Sequence, residues 1–143
     1  MNSVPANDDA TAALNQVLSE VIDLVQDVKQ AHRKVPETHA LHAVLDQLFV
    51  DLRTWAGMIM DEDELLGTSP LGSMPSVAGR VVPNLWPRAA SDEDVHRVVG
   101  ADLDRLAQHL AAARGAQSNE GAQTLLVQIE AGLAADRQLF RDA

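Results

Sequence analysis

AHRKVPETHALHAVLDQLF, residues 31–49, closes one helix and opens another. Upstream of it Leu14, Leu18, Val21, Val25, Val28 and His32 recur at spacings of three and four, which places them on one helical stripe. Pro36 lacks a backbone donor and biases the residue before it away from helix, so the first helix stops or kinks there. From about Thr38 to Leu66, a second stripe runs through Leu41, Leu45, Leu48, Leu52, Trp55 and Ile59. No proline interrupts it. Gly57 weakens it, and Gly67 is its expected C-cap.

The character then changes. Residues 67–90, GTSPLGSMPSVAGRVVPNLWPRAA, carry four prolines and several glycines, and read as a long crossover with room for one short helix. A third helix opens at Ser91 with Asp94 three residues on, a capping-box start with acids in its first turn. Its stripe is Val95, Val99, Leu103, Leu106, Leu110 and Ala113, and Gly115 is its expected end. A fourth opens near Asn119, with Ala122, Leu126, Ile129 and Leu133 on its stripe and Phe140 near its end. A short link between the third and fourth helices implies antiparallel neighbours, and the long link before them implies a crossover along the bundle. The prediction is an all-α fold, one domain over residues 1–143, in the up-down-down-up order of ferritin-like four-helix bundles.

Composition agrees. The chain has 143 residues, enough for one core without staples. Leu, Ala and Val dominate, with two Trp, two Phe and no Tyr, which favours an aliphatic helical core over a sheet. The absence of cysteine excludes disulfides and thiolate metal sites. No apolar run is long enough to span a membrane. The first ten residues, MNSVPANDDA, lack the basic and apolar regions of a secretory signal, so the cytoplasm is the expected compartment. The net charge of −10 attracts divalent cations and repels phosphate backbones.

The residues with chemistry are few. His42 and Asp46, at i and i+4, share a face of the second helix beside its core stripe, and His32 lies just across the turn. Imidazole nitrogen with carboxylate oxygen suits iron or zinc; solvated side chains on a helix edge are the plainer reading. Asp61, Glu62, Asp63 and Glu64 form an acidic run at a helix C-terminus, where the macrodipole disfavours it. Glu62 to Glu64 read as a solvated end. Glu93 and His96 have the Glu-x-x-His spacing of di-iron bundles but occur once, without the second copy a paired site needs. His39 and His109 read as surface residues. No nucleophile triad, phosphate loop or zinc-finger spacing stands out.

The stretch 31–49, followed by LLGTSPLGS at 65–73, resembles the Dps family of mini-ferritins. That family typically reads His-Trp, a short turn, Leu-His-x-x-x-Asp, a long helix, then Leu-Gly-Gly-x-Pro-x-Gly, and the spacing from Leu41 to Gly72 matches without a gap. NEGAQTLL at 119–126 and DRQLF at 136–140 resemble the family's fourth helix. The resemblance implies a twelve-subunit hollow shell, built from dimers, that binds Fe²⁺ between subunits. Hydrogen peroxide, in preference to dioxygen, oxidises the iron, which is stored as ferric mineral. It implies that His32 of one chain meets His42, Asp46 and the following carboxylate, Asp61, of its partner; on donor chemistry, zinc is an alternative metal at the same cluster.

The chain departs from the pattern at four places. Gly57 stands where the family has Asp, Asp61 where it has Glu, Glu62 where it has Arg, and Arg33 where Trp follows the first His. Fewer carboxylates and an added cation weaken the hold on Fe²⁺. Two readings follow: an iron-sequestering shell with reduced ferroxidase activity, or a bundle kept for assembly without redox chemistry. DNA binding is not expected, because residues 1–28 contain no Lys or Arg.

Overall fold

The computed structural model describes residues 5–67, 86 and 91–143, with side chains from Asp9 onward. Four helices, α1 (Pro5–Lys34), α2 (Ala40–Leu65), α3 (Asp92–Ala116) and α4 (Glu120–Asp142), account for nearly all of it. Each apolar stripe lies where its period puts it: Leu14, Leu18, Val21, Val25 and Val28 of α1 are buried, as are Leu41, Leu45, Leu48, Leu52, Trp55 and Ile59 of α2. Val95, Val99, Leu103, Leu106 and Leu110 of α3 and Ala122, Leu126, Ile129, Leu133 and Phe140 of α4 close the same core. Among the described residues, no helix is long and apolar enough to cross a membrane.

Local chemistry sets the boundaries. α1 stops at Lys34, and the His39 amide donates to the Pro36 carbonyl across the turn that follows, at 3.0 Å. α2 ends at Leu65, and Gly67 adopts the left-handed φ of 84° that a glycine takes without a Cβ clash. At α3 the capping box is complete: Ser91 Oγ accepts from the Asp94 amide at 3.1 Å, and Asp94 Oδ2 accepts from the Ser91 amide at 3.0 Å. Asn119 caps α4 by accepting from the Ala122 amide at 2.9 Å.

α1 packs on α2 and α3, and α4 packs on α3 and α2. The direction of α3 follows from one contact: His39, at the start of α2, bonds Asp92, at the start of α3, at 2.8 Å. α2 and α3 therefore begin at the same end, and the end of α2 stands the roughly 39 Å of a 26-residue helix away from it. That is the up-down-down-up order expected from the loop lengths. Most of the crossover, and the short helix that the sequence allows in it, lie outside the described residues. Trp86 is described; it packs against the core, and its indole N–H donates to Asp27 Oδ1 of α1 at 3.3 Å.

Candidate metal centre

The short turn folds α2 back along α1, so His32, in the last turn of α1, faces His42 and Asp46, in the first two turns of α2. His32 Nε2 lies 2.7 Å from Asp46 Oδ1, and His42 Nδ1 lies 3.7 Å from Asp46 Oδ2. The two imidazole rings are 3.9 Å apart, centre to centre, tilted by 35°. Each side chain offers one ligand atom within 4.8 Å of the others, the only such group of three among the described residues. His42 is the most enclosed of the three, with a side chain 16% exposed against 35% for His32 and 62% for Asp46, so the cluster opens outward on the carboxylate side.

His32 Nε2 is itself sealed from solvent and has no hydrogen-bond partner, although Asp46 Oδ1 is close. The oxygen is near but off the line of an N–H donor. A buried nitrogen beside an oxygen that does not accept from it suits a shared cation better than a hydrogen bond. Two donors about 2.1 Å from a tetrahedral ion stand roughly 3.4 Å apart. The His42–Asp46 separation is already close to that, and the His32–Asp46 pair reaches it by opening slightly. Two nitrogens and one oxygen are a donor set for Fe²⁺ or Zn²⁺, with positions left for water or a further ligand.

A recess of about 210 Å³ adjoins the cluster, lined by Val28, Lys29, His32, Arg33, Asp46 and Phe49. Arg33 is thus where the sequence puts it, beside the donors. Lys29, one turn earlier, adds a second cation that sequence reasoning missed.

Two expectations are revised. The family resemblance assigns His32 and the His42–Asp46 pair to different chains. The structure joins them in one, because the five residues between Lys34 and Ala40 bring the helices back antiparallel. Asp61 does not join them: it is exposed, fifteen residues past Asp46, which is about 22 Å along the helix. Gly57 is exposed, with nothing within 4 Å of where a Cβ would stand.

The remaining candidates are tied into the bundle. His39 bonds Asp92. His109, although exposed, contacts Glu20 of α1, whose carboxyl burial pushes up and His109 partly restores. His96 packs on Phe140, with ring centres 4.7 Å apart, and Glu93 is exposed. The acidic run is not a solvated end throughout. Asp63 is fully buried, and desolvation, then Glu62, raises its carboxyl to about 6. A Glu62 oxygen lies 3.1 Å from where a Cβ on Gly121 would stand, in the first turn of α4. There the positive helix end favours an acid.

The fold and the cluster together define a ferritin-like four-helix bundle with a candidate metal site where α1 turns into α2. Solved Dps proteins share this fold. Dps from Microbacterium arborescens, in a high iron form, matches with a TM-score of 0.86 and 22% identity, over 94% of this chain and 91% of that one. Dps92 from Deinococcus radiodurans gives 0.89 and 19%, over 97% and 87%. An N-terminal deletion mutant of Dps from Mycobacterium smegmatis gives 0.88 and 17%, over 97% and 96%. No family model and no curated protein matches the sequence.

Proposed function

We propose that this chain, as one domain over residues 1–143, is the subunit of a Dps-like shell that sequesters iron. The observation that carries the reading is the His32, His42 and Asp46 cluster in a Dps fold. Iron is the cargo: Fe²⁺ binds the two imidazoles and the carboxylate, is oxidised by hydrogen peroxide or dioxygen, and is stored as ferric mineral. Asp61 cannot reach its own chain's cluster, so it takes part as a ligand only from a second copy packed against the α1–α2 hairpin. The assembly is a homo-oligomer, a dodecamer built from dimers, in the cytoplasm. Its summed negative charge draws cations inward. Duplex DNA is not a partner at physiological salt.

Oxidation is slow in this reading. Gly57 supplies no carboxylate, and Lys29 and Arg33 add positive charge beside the donors. Both disfavour accumulating the charge of a ferric product. These same residues favour a second reading, a Dps-like assembly module without redox activity; zinc at the cluster is compatible with it.

The test loads the purified oligomer with Fe²⁺ without oxygen, adds peroxide, and follows ferric absorbance beside a His42→Ala, Asp46→Ala double variant. Oxidation that the double variant abolishes supports the iron reading. Identical slow traces select the second. Elution at roughly twelve subunits, against one or two, checks the shell in both.

A further inference from the structure

Lysines and arginines are outnumbered in this chain, 11 against 21 acids, so a cation without an acid beside it stands out. Among the described arginines, Arg97, Arg105, Arg114 and Arg137 each meet a carboxylate, Arg141 meets Gln138, and Arg53 lies over the Phe49 ring. Lys34 is engaged as well. Lys29 and Arg33 are the exceptions: neither has an ion pair or a hydrogen bond among the described residues. The residues three and four places from Lys29 are Val25, Gln26, His32 and Arg33, so α1 supplies no acid to it. Instead the two cations stand at i and i+4, a like-charge spacing that destabilises a helix.

Both line the recess of about 210 Å³ beside His32 and Asp46. Asp46 is its one acid, and that carboxylate is already 2.7 Å from His32 Nε2. With a divalent ion on His32, His42 and Asp46, this single carboxylate faces the ion and both cations, and positive charge is in excess. A small anion in the recess answers both sides of that excess. It pairs with Lys29 and Arg33 through charge-assisted hydrogen bonds, and it fills a metal position that the three side chains leave open. Size narrows the class. At roughly 30 Å³ per water the recess has room for about seven waters. That accommodates an oxyanion of phosphate size and falls short of the roughly 300–1,000 Å³ that a drug-sized ligand needs. Val28 and Phe49 give it an apolar wall, which strengthens the charge pairing inside.

We propose that Lys29 and Arg33 hold a small oxyanion of the phosphate class against the metal bound by His32, His42 and Asp46, so that cation and anion are taken up together. This rests on the metal reading of that cluster and adds a co-ligand to it. The anion supplies negative charge that the three side chains do not. The effect of the two cations then changes sign with the medium: they oppose a bare metal ion and favour one that arrives with its anion.

The test titrates the full chain with Co²⁺, whose visible bands report its ligands, in chloride and in inorganic phosphate at one matched, low ionic strength. Phosphate is expected to tighten Co²⁺ by about tenfold or more, the scale that outer-shell partners of a metal carry, and to change the visible bands. Lys29→Gln with Arg33→Gln preserves the helix, because both side chains are exposed and Gln is a good helix former. In chloride this double variant is expected to bind Co²⁺ at least as tightly as the parent, and in phosphate to show none of the gain. A second readout is independent of affinity: bound Co²⁺ is expected to broaden the phosphate ³¹P resonance in the parent and not in the variant. No Co²⁺ binding in either buffer, or binding that His42→Ala with Asp46→Ala leaves intact, overturns the metal reading and the proposal with it. Co²⁺ binding that phosphate leaves unchanged, as when a carboxylate of a second copy fills the recess, overturns the proposal alone. So does a phosphate gain of equal size in the double variant.

Discussion

Arg33 and Lys29 illustrate how a single residue's meaning changes between the chain and the fold. Both lie in the last turns of α1, where cations complement the helix dipole, and on that ground alone they need no further role. The turn at Pro36 then places His42 and Asp46 of α2 beside them, and the same cations line a recess next to metal donors. Arg33→Gln is expected to tighten Co²⁺ or Zn²⁺ binding at the cluster by roughly two- to fivefold at low salt, with the gain fading as salt screens the charge. Calorimetric titration at two salt concentrations measures it; equal affinities at low salt would mean that Arg33 does not act on the site. His42 and Asp46 were legible from an i, i+4 spacing beside a core stripe. His32 was legible from its place before Pro36. Lys29 was not, because only the closed hairpin brings it to the donors. Asp136 was not either, since an acid in DRQLF reads as surface until α2 covers it.

At the scale of elements, every helix and most caps could be read from the sequence, because apolar period and capping chemistry are local. Ser91 shows how far that reach extends: its capping box with Asp94 is complete in the fold. Ser91→Ala is expected to lower stability by about 1 kcal/mol, measured by urea unfolding. What the sequence hides is the contact between elements. Asp102 and Asp27 break the helical stripes: Arg105, three residues on, answers Asp102 at a legible spacing, whereas no spacing rule connects Asp27 to the Trp86 indole that meets it. The α2–α4 packing is similarly invisible. A Cβ on Gly132 would come within 2.7 Å of the Trp55 ring, so α4 approaches α2 closely only because that position is bare. Gly132→Ala gains helix propensity yet is expected to cost about 1–3 kcal/mol through overpacking. The change should shift both the urea midpoint and the Trp55 fluorescence; a stabilised variant with unchanged fluorescence would show that the ring yields without cost.

For the whole molecule, the long link between α2 and α3 was the decisive sequence feature, because a connection of that length permits the return from one end of the bundle to the other. The His39–Asp92 contact fixes that topology in space. The same close packing of four acidic helices leaves carboxyls in the seams. Desolvation raises Asp136 to about 7, with Asp51 adding to it, and raises Asp23 to about 6, with Asp27 adding to it. Asp63 is raised to about 6 and Glu20 moves the same way. An acid whose folded pKa lies above its unfolded value keeps its proton longer in the folded chain. Between about pH 4 and 7 the folded bundle therefore binds more protons than the unfolded chain, and stability falls as pH rises through that window. Asp94, held low mainly by the Ser91 amide, acts oppositely, and its contribution is lost only under stronger acid. The expected outcome is a higher urea midpoint at about pH 5.5 than at about pH 8, measured in a chelator so that no divalent cation substitutes for the protons. Asp136→Asn removes the most strongly raised of these groups and should flatten the difference by raising the midpoint at the alkaline end. A midpoint that climbs with pH across the same range would show that the seams do not hold their protons in the folded bundle.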